Sequence, residues 1–382
     1  MNLPKRIFFI PIHNSLAYVI LSLLWVIVTL FLINKYGLGI SFDSHEYLLQ
    51  ADKLIHGKLP PPRFLLYLNY IGFIGLMKVF SDYQLLATVV FQVAYAAFAA
   101  FILYKTVFSM SGSVKASLLA SALFITHIHI HTWDFFILTE SLFISTLVIS
   151  FYLFHINKYK WLFWILVLFI AFIRPTGVVV LLSYVVASSW NSRLIARNLT
   201  VMLISAIVVL AIFSVFIKSD QLLRIYNSGV IVYSAQSVDD PQLRDQMIVL
   251  PSSTLSNYNE GTMLMDLMKF VLNDPGYFFK LGFLKVGLYL TEYRPFNSPL
   301  HNAFNFLSLA CFYFFSVYYF LRNSIKREGW FFLIVSFLFT AMIFVTYVSW
   351  EGRFFAPLIP FLIIYSTLGF LKFFRRFSAN RS

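Results

Sequence analysis

The run from Ser15 to Asn34 carries no charged residue and is about as long as a helix must be to cross a bilayer. Comparable runs recur at 84–108, 115–132, 135–156, 160–173, 175–190, 197–217, 299–321, 330–349 and 354–372. So many apolar stretches do not suit a water-soluble core. The sequence predicts an all-α polytopic membrane protein with about ten transmembrane helices. Composition agrees. Of 382 residues 60% are hydrophobic, and the charged share of 12% is about half the usual one. The single cysteine, Cys311, excludes an intramolecular disulfide and reads as a packing residue.

Charge fixes the expected orientation. Lys5 and Arg6 precede the first run and no small-residue cleavage site follows it, so it reads as an uncleaved anchor with its N-terminus inside. With 64–80 lying in the interface, fifteen cations collect on one side, including Lys105, Lys115, Lys158, Arg193, Arg322, Arg327 and Arg375, against Glu328 as the only acid. That is a positive-inside pattern, and it accounts for the net charge of +13 without nucleic acid. Both termini are expected inside. Two segments remain outside, 35–83 and 218–298, each with an interfacial amphipathic helix. No repeat or linker divides residues 1–382, which read as one membrane domain with the active-site side formed by these two segments.

The polar residues outside are where chemistry is expected. Ser41 to Tyr47 is an acidic island between the first anchor and an amphipathic stretch in which Tyr47, Leu48, Ala51, Leu54 and Ile55 share a face. Asp43 and Glu46 have the spacing of a capping box, with Asp43 as N-cap. Asp43 equally suits a general base that takes a proton from an acceptor hydroxyl. Glu140 opens the run 135–156. A carboxylate so placed calls for a wet cavity or a partner, so it orients a substrate or pairs with an arginine. Arg174, beside Pro175, and Arg353, in Trp350-Glu351-Gly352-Arg353-Phe354, lie at outer ends of apolar runs. A guanidinium fork there suits a lipid phosphate, an ion pair with Glu140 or Glu351, or headgroup contact. Asp274-Pro275 starts a helix as N-cap and N1, and its Lys285, followed by Arg294, supplies further phosphate candidates. His127, His129 and His131 alternate without the spacing of a zinc-binding HExxH helix, and no metal site is predicted.

Together these motifs resemble the GT-C superfamily of polytopic glycosyltransferases, such as protein O-mannosyltransferases and lipid A aminoarabinose transferases. The resemblance rests on Asp43-Ser44-His45-Glu46-Tyr47, on Gly57 to Pro62 with the stretch that follows, on Thr139-Glu140-Ser141-Leu142-Phe143, on Arg174-Pro175-Thr176-Gly177, on Arg353-Phe354 with Pro357 and Pro360, and on Asp274-Pro275 through Lys285. It implies transfer of a sugar from a polyprenyl-phosphate donor to an extracytoplasmic acceptor hydroxyl, with inversion. Asp43 takes the base position and Glu46 that of a second carboxylate. Arg353 and Arg174 hold the lipid phosphate, with Glu140, Tyr47, Arg294 and Lys285 at the substrates. The acceptor is a glycan, lipid or protein. Some relatives use a divalent cation and others do not; none is predicted here. The expected location is a bacterial inner membrane with the site facing out. Rival readings are a flippase or transporter of lipid-linked sugars, and a glycan polymerase or ligase using lipid-pyrophosphate donors.

Overall fold

The structure, a computed structural model, describes residues 12–189, 228–233, 235, 238–249 and 271–379. These residues are helical throughout, apart from loops and three isolated bridges. The expected span 197–217 lies outside them. In chain order the helices are α1 (Ile12–Tyr36), α2 (Phe42–Ile55), α3 (Leu68–Phe80), α4 (Gln84–Ser111), α5 (Val114–Thr126), α6 (Ile128–His131) and α7 (Thr139–Ile156). Then follow α8 (Lys160–Ala171), α9 (Thr176–Ser189), α10 (Pro241–Met247), α11 (Pro275–Thr291), α12 (Pro299–Leu321), α13 (Arg327–Val345) and α14 (Ile359–Ala379).

Among the described residues, seven segments are long and apolar enough to cross a membrane: Ser15–Tyr36, Pro62–Phe80, Gln84–Ser111, Thr139–Ile156, Pro299–Leu321, Arg327–Val345 and Ala356–Arg376. Of the ten expected runs, those at 115–132, 160–173 and 175–190 are shorter helices here. Val114–Thr126, Lys160–Ala171 and Thr176–Ser188 are shorter apolar helices. The expected run 115–132 breaks at His127, after which α6 and a 3₁₀ turn over Thr132–Phe135 carry the chain to α7. Pro62–Phe80, expected in the interface, combines a 3₁₀ turn over Pro62–Tyr67 with α3 and packs against α2.

Burial separates inner from outer helices. Fifteen of the eighteen residues of α7 are buried. Around it α4 lies between α5 and α7, α9 packs on α13, and α12 runs along α14. By contrast α1 and α12 present Leu23, Ile27, Leu300, Phe304 and Leu307 more than half exposed. Apolar surface of that extent belongs in lipid rather than in water.

At the cation-rich end the last turn of α7 is capped from α13. Arg327 Nη2 donates to the Phe154 and His155 carbonyls, and His155 Nδ1 lies 2.9 Å from Glu328 Oε1. A basic side chain at a helix C-terminus and an acid in the first turn of the next both complement the helix dipoles. At the other end α8 stops before Arg174-Pro175, and the Gly177 N–H donates to the Arg174 carbonyl at 2.8 Å. The chain turns so tightly that a Cβ on Gly177 would lie 2.0 Å from the Ile170 carbonyl oxygen. The obstacle is backbone and has little room to yield. Gly177→Ala is therefore expected to destabilise the protein by on the order of 1–3 kcal/mol, seen as a lowered thermal midpoint in detergent. An unchanged midpoint would mean that α8 and α9 part at no cost.

Candidate active site

Two loops bring the acidic motifs together. The Gly39 N–H donates to the Phe135 carbonyl at 2.8 Å, and the Ile137 N–H donates to the Gly39 carbonyl at 3.1 Å. This is a parallel bridge between Gly39 and Phe136. Glycine is required there, since a Cβ would meet the Phe136 ring at 2.4 Å. From the bridge each strand runs four residues to a carboxylate, to Asp43 on α2 and to Glu140 on α7. Gln92 of α4 fixes the second loop. Its Nε2 donates to the carbonyls of Asp134 at 3.1 Å and Phe136 at 2.8 Å, while Tyr70 donates to its Oε1 at 3.2 Å.

Asp43 is not the cap of α2. The N-cap is Ser41, whose N–H donates to Ser44 Oγ at 2.9 Å, so Asp43 occupies the second helical position. Glu140 holds the same position on α7, after Leu138 as N-cap. Both carboxylates therefore sit in a first turn, where the helix dipole favours negative charge.

Two arginines complete the cluster. Arg353 Nη1 donates to Asp43 Oδ2 at 2.9 Å, and its Nε donates to Glu140 Oε1 at 2.8 Å. Arg174 Nη1 donates to the same Glu140 oxygen at 3.0 Å, and Thr139 Oγ1 donates to Glu140 Oε2 at 3.3 Å. Two acids and two bases form one neutral chain. Burial grades along it: Glu140 is wholly enclosed and Arg174 is 5% exposed, whereas Arg353 is 24% and Asp43 44% exposed. Burial disfavours the charge on Arg353, but Glu140 and Asp43 outweigh it and hold the guanidinium above its ordinary pKa. Aromatic faces add to this. Arg353 lies 5.7 Å from the Trp133 ring centre, and Arg174 lies 5.4 Å from that of Phe143.

Tyrosines surround the exposed end. Tyr47 is buried against Tyr67 and Tyr70, at 5.4 and 5.3 Å between ring centres. Tyr347 stacks on the half-exposed Tyr233 at 4.8 Å. Burial, then Tyr233, Tyr67 and the Asp43 carboxylate, push the Tyr347 phenol up to about 12. Burial also raises the Tyr47 phenol. These hydroxyls stay protonated at neutral pH, so near them a carboxylate such as Asp43, rather than a tyrosine, would accept a proton.

On the far side of Trp133 lies a cavity of about 750 Å³. Trp133 and Glu351-Gly352 line it, so it abuts the Arg353 cluster. Its wall is aromatic and apolar, with Phe304 and Phe312 from α12, and its polar lining includes Lys35, His127, His129 and His301. Burial, reinforced by His129 and His131, holds His127 down to about 3, so it is neutral. His131 turns away and lies 2.8 Å from Asp134 Oδ2.

Other expected site residues lie apart. Glu46 is 3.6 Å from Arg63 Nη2, at the surface, and does not join Asp43. Arg294 lines the cavity, but its guanidinium is buried and bonded to the carbonyls of Leu288, Tyr293, Ser349 and Trp350 and to Glu292. Its position there is that of a structural tie. Lys285 is fully enclosed in α11, where burial lowers it to about 7, and it lines neither the cluster nor the cavity. The helix start at Asp274 is as expected, with Oδ1 accepting from the Tyr277 N–H at 3.1 Å. Sequence reading passed over Tyr67, Tyr233 and Tyr347. Nothing local marks them, because far-apart segments bring Tyr67 and Tyr347 near Asp43 and Tyr233 onto Tyr347.

No protein-family model matches the chain, and no curated protein matches it. The geometry is what bears on function.

Removing Glu140 would strand two arginines, one of them deeply buried. Glu140→Ala is expected to destabilise by about 3–5 kcal/mol, while Asp43→Asn costs about 1 kcal/mol or less because water reaches it. Unfolding in one detergent compares the two. Equal effects would mean that Arg174 does not depend on Glu140.

Proposed function

We propose that this protein is a membrane-embedded glycosyltransferase that moves a sugar from a polyprenyl-phosphate donor to an acceptor hydroxyl on the extracytoplasmic side. The observation that carries the reading is the 2.9 Å contact between the exposed carboxylate of Asp43 and Arg353, beside a cavity with an apolar wall and a polar lining. The reaction needs a base for a weakly acidic hydroxyl and a cation for a departing phosphate. Both stand here side by side. Tyr67, Tyr233 and Tyr347 add flat faces and neutral hydroxyls of the kind that suit a sugar ring.

In this reading the acceptor oxygen attacks the anomeric carbon from the face opposite the phosphate. Its proton passes to Asp43. The carbon–oxygen bond to phosphate breaks, and the phosphate leaves with the electron pair toward Arg353, steadied by the Glu140–Arg174 pair behind it. One displacement inverts the anomeric centre. The lipid tail lies against the aromatic wall of the cavity, and the residues facing it from α12 come from a helix whose other faces suit lipid.

The test is release of free polyprenyl phosphate from polyprenyl-phosphate sugars by purified protein with an extract of envelope acceptors. Wild type is expected to release it, and Asp43→Asn to be slower by about 10²-fold or more. Equal release by both variants would remove Asp43 from the base role. No release from any donor, with movement of lipid-linked sugar across vesicles, would replace the enzyme with a transporter.

A further inference from the structure

In the structure, the carboxylate that would take the acceptor's proton is occupied, because Arg353 Nη1 donates to Asp43 Oδ2. The arginine that would hold the donor phosphate is likewise engaged, by both acids. One exchange resolves both conflicts. Resting on the transferase reading above, we infer that Asp43 occupies the phosphate site of Arg353 in the unloaded protein, and that an incoming lipid phosphate displaces it and so frees the base.

The two acids on Arg353 differ in ways that decide which one leaves. Glu140 is wholly enclosed, and its Oε1 is shared with Arg174 while Thr139 bonds its Oε2. Were it to let go, an enclosed carboxylate would lose one of its two charge partners with no water to replace it, which is costly. Asp43 meets Arg353 through a single oxygen and is 44% exposed. Water and the first turn of α2 take over its charge when the contact opens.

The guanidinium geometry fits the exchange. Glu140 holds Nε, so the orientation of the plane persists after Asp43 leaves. Nη1 is the atom given up by Asp43, and Nη2 makes no hydrogen bond among the described residues. These two nitrogens form the end of the fork, which accepts two phosphate oxygens at once. The donor's phosphodiester carries a single charge, as a carboxylate does, but it offers two oxygens to the fork where Asp43 offers one, and so outcompetes it. Glu140 is thus a positioning residue, Arg353 a shared cation, and Asp43 a base that is released only when donor has bound. The expected kinetic consequence is an ordered reaction, donor first.

The experiment titrates undecaprenyl phosphate, the product-like ligand that needs no chemistry, into wild type, Asp43→Asn, Arg353→Gln and the double variant, all in nanodiscs. Asp43→Asn removes the internal competitor and is expected to tighten binding about three- to tenfold, although it abolishes turnover. In the Arg353→Gln background, where binding is weaker, the same substitution is expected to bring no gain. A gain of equal size there would trace to plain charge repulsion and overturn the exchange. So would binding that Asp43→Asn leaves unchanged or weakens; both results leave the transferase reading standing. No binding by any variant would remove the donor reading together with the exchange. Inorganic phosphate showing the same pattern would support the exchange and assign it to phosphate without its lipid.

Discussion

The charge of Glu140 is the constraint on which the site depends. It lies at the start of a helix enclosed on nearly all sides, and no water reaches it. A carboxylate in that place persists only with cations fixed against it. Arg174 and Arg353 supply them, from segments 34 and 213 residues further on. Meeting that need joins the α8–α9 turn, the start of α7 and the segment before α14. Asp43 then attaches at the open end, across 310 residues of sequence from Arg353. Asp43, the base of the proposed reaction, is the member of this ion-pair chain with the most solvent exposure and a single contact.

Much of the framework was legible in the sequence, and the reasons are local. Asp274-Pro275 started α11 because a cap and a proline at N1 need only their immediate neighbours. Arg174-Pro175 separated two helices because proline lacks an N–H. The cap of α2 was misplaced by two residues. Ser41 with Ser44 and Asp43 with Glu46 are overlapping capping patterns, and only the three-dimensional path favours the first. The length of α5 was misjudged because hydropathy continues past Thr126 through Ile128 and Ile130, while His127 takes a non-helical conformation.

Pairing was the part that sequence left open. The motif residues pointed to an ion pair at Glu140, without saying that Arg174 and Arg353 would share one oxygen. The family resemblance gives Glu46 the place of a second carboxylate, and i,i+3 spacing sets it near Asp43 on α2, but Arg63 from a separate segment draws it to the surface instead. Arg294 looked available by its charge. Three of its contacts, with Leu288, Tyr293 and Glu292, are local, but the two with Ser349 and Trp350 come from the folding of a distant segment against α11, which no short window of sequence contains.

The shortness of α5 has a consequence for the bilayer itself. Thirteen helical residues extend about 20 Å, whereas the hydrocarbon layer is about 30 Å thick. Leu123, Thr126 and His127, at the end of this helix, line the large cavity. Lipid beside α5 faces a hydrophobic mismatch, which it relieves by thinning or by letting headgroups sink along that flank. For the lipid-linked donor proposed above, a thinned flank would be an entrance from the side, sparing the tail from leaving the membrane and the head from crossing its middle.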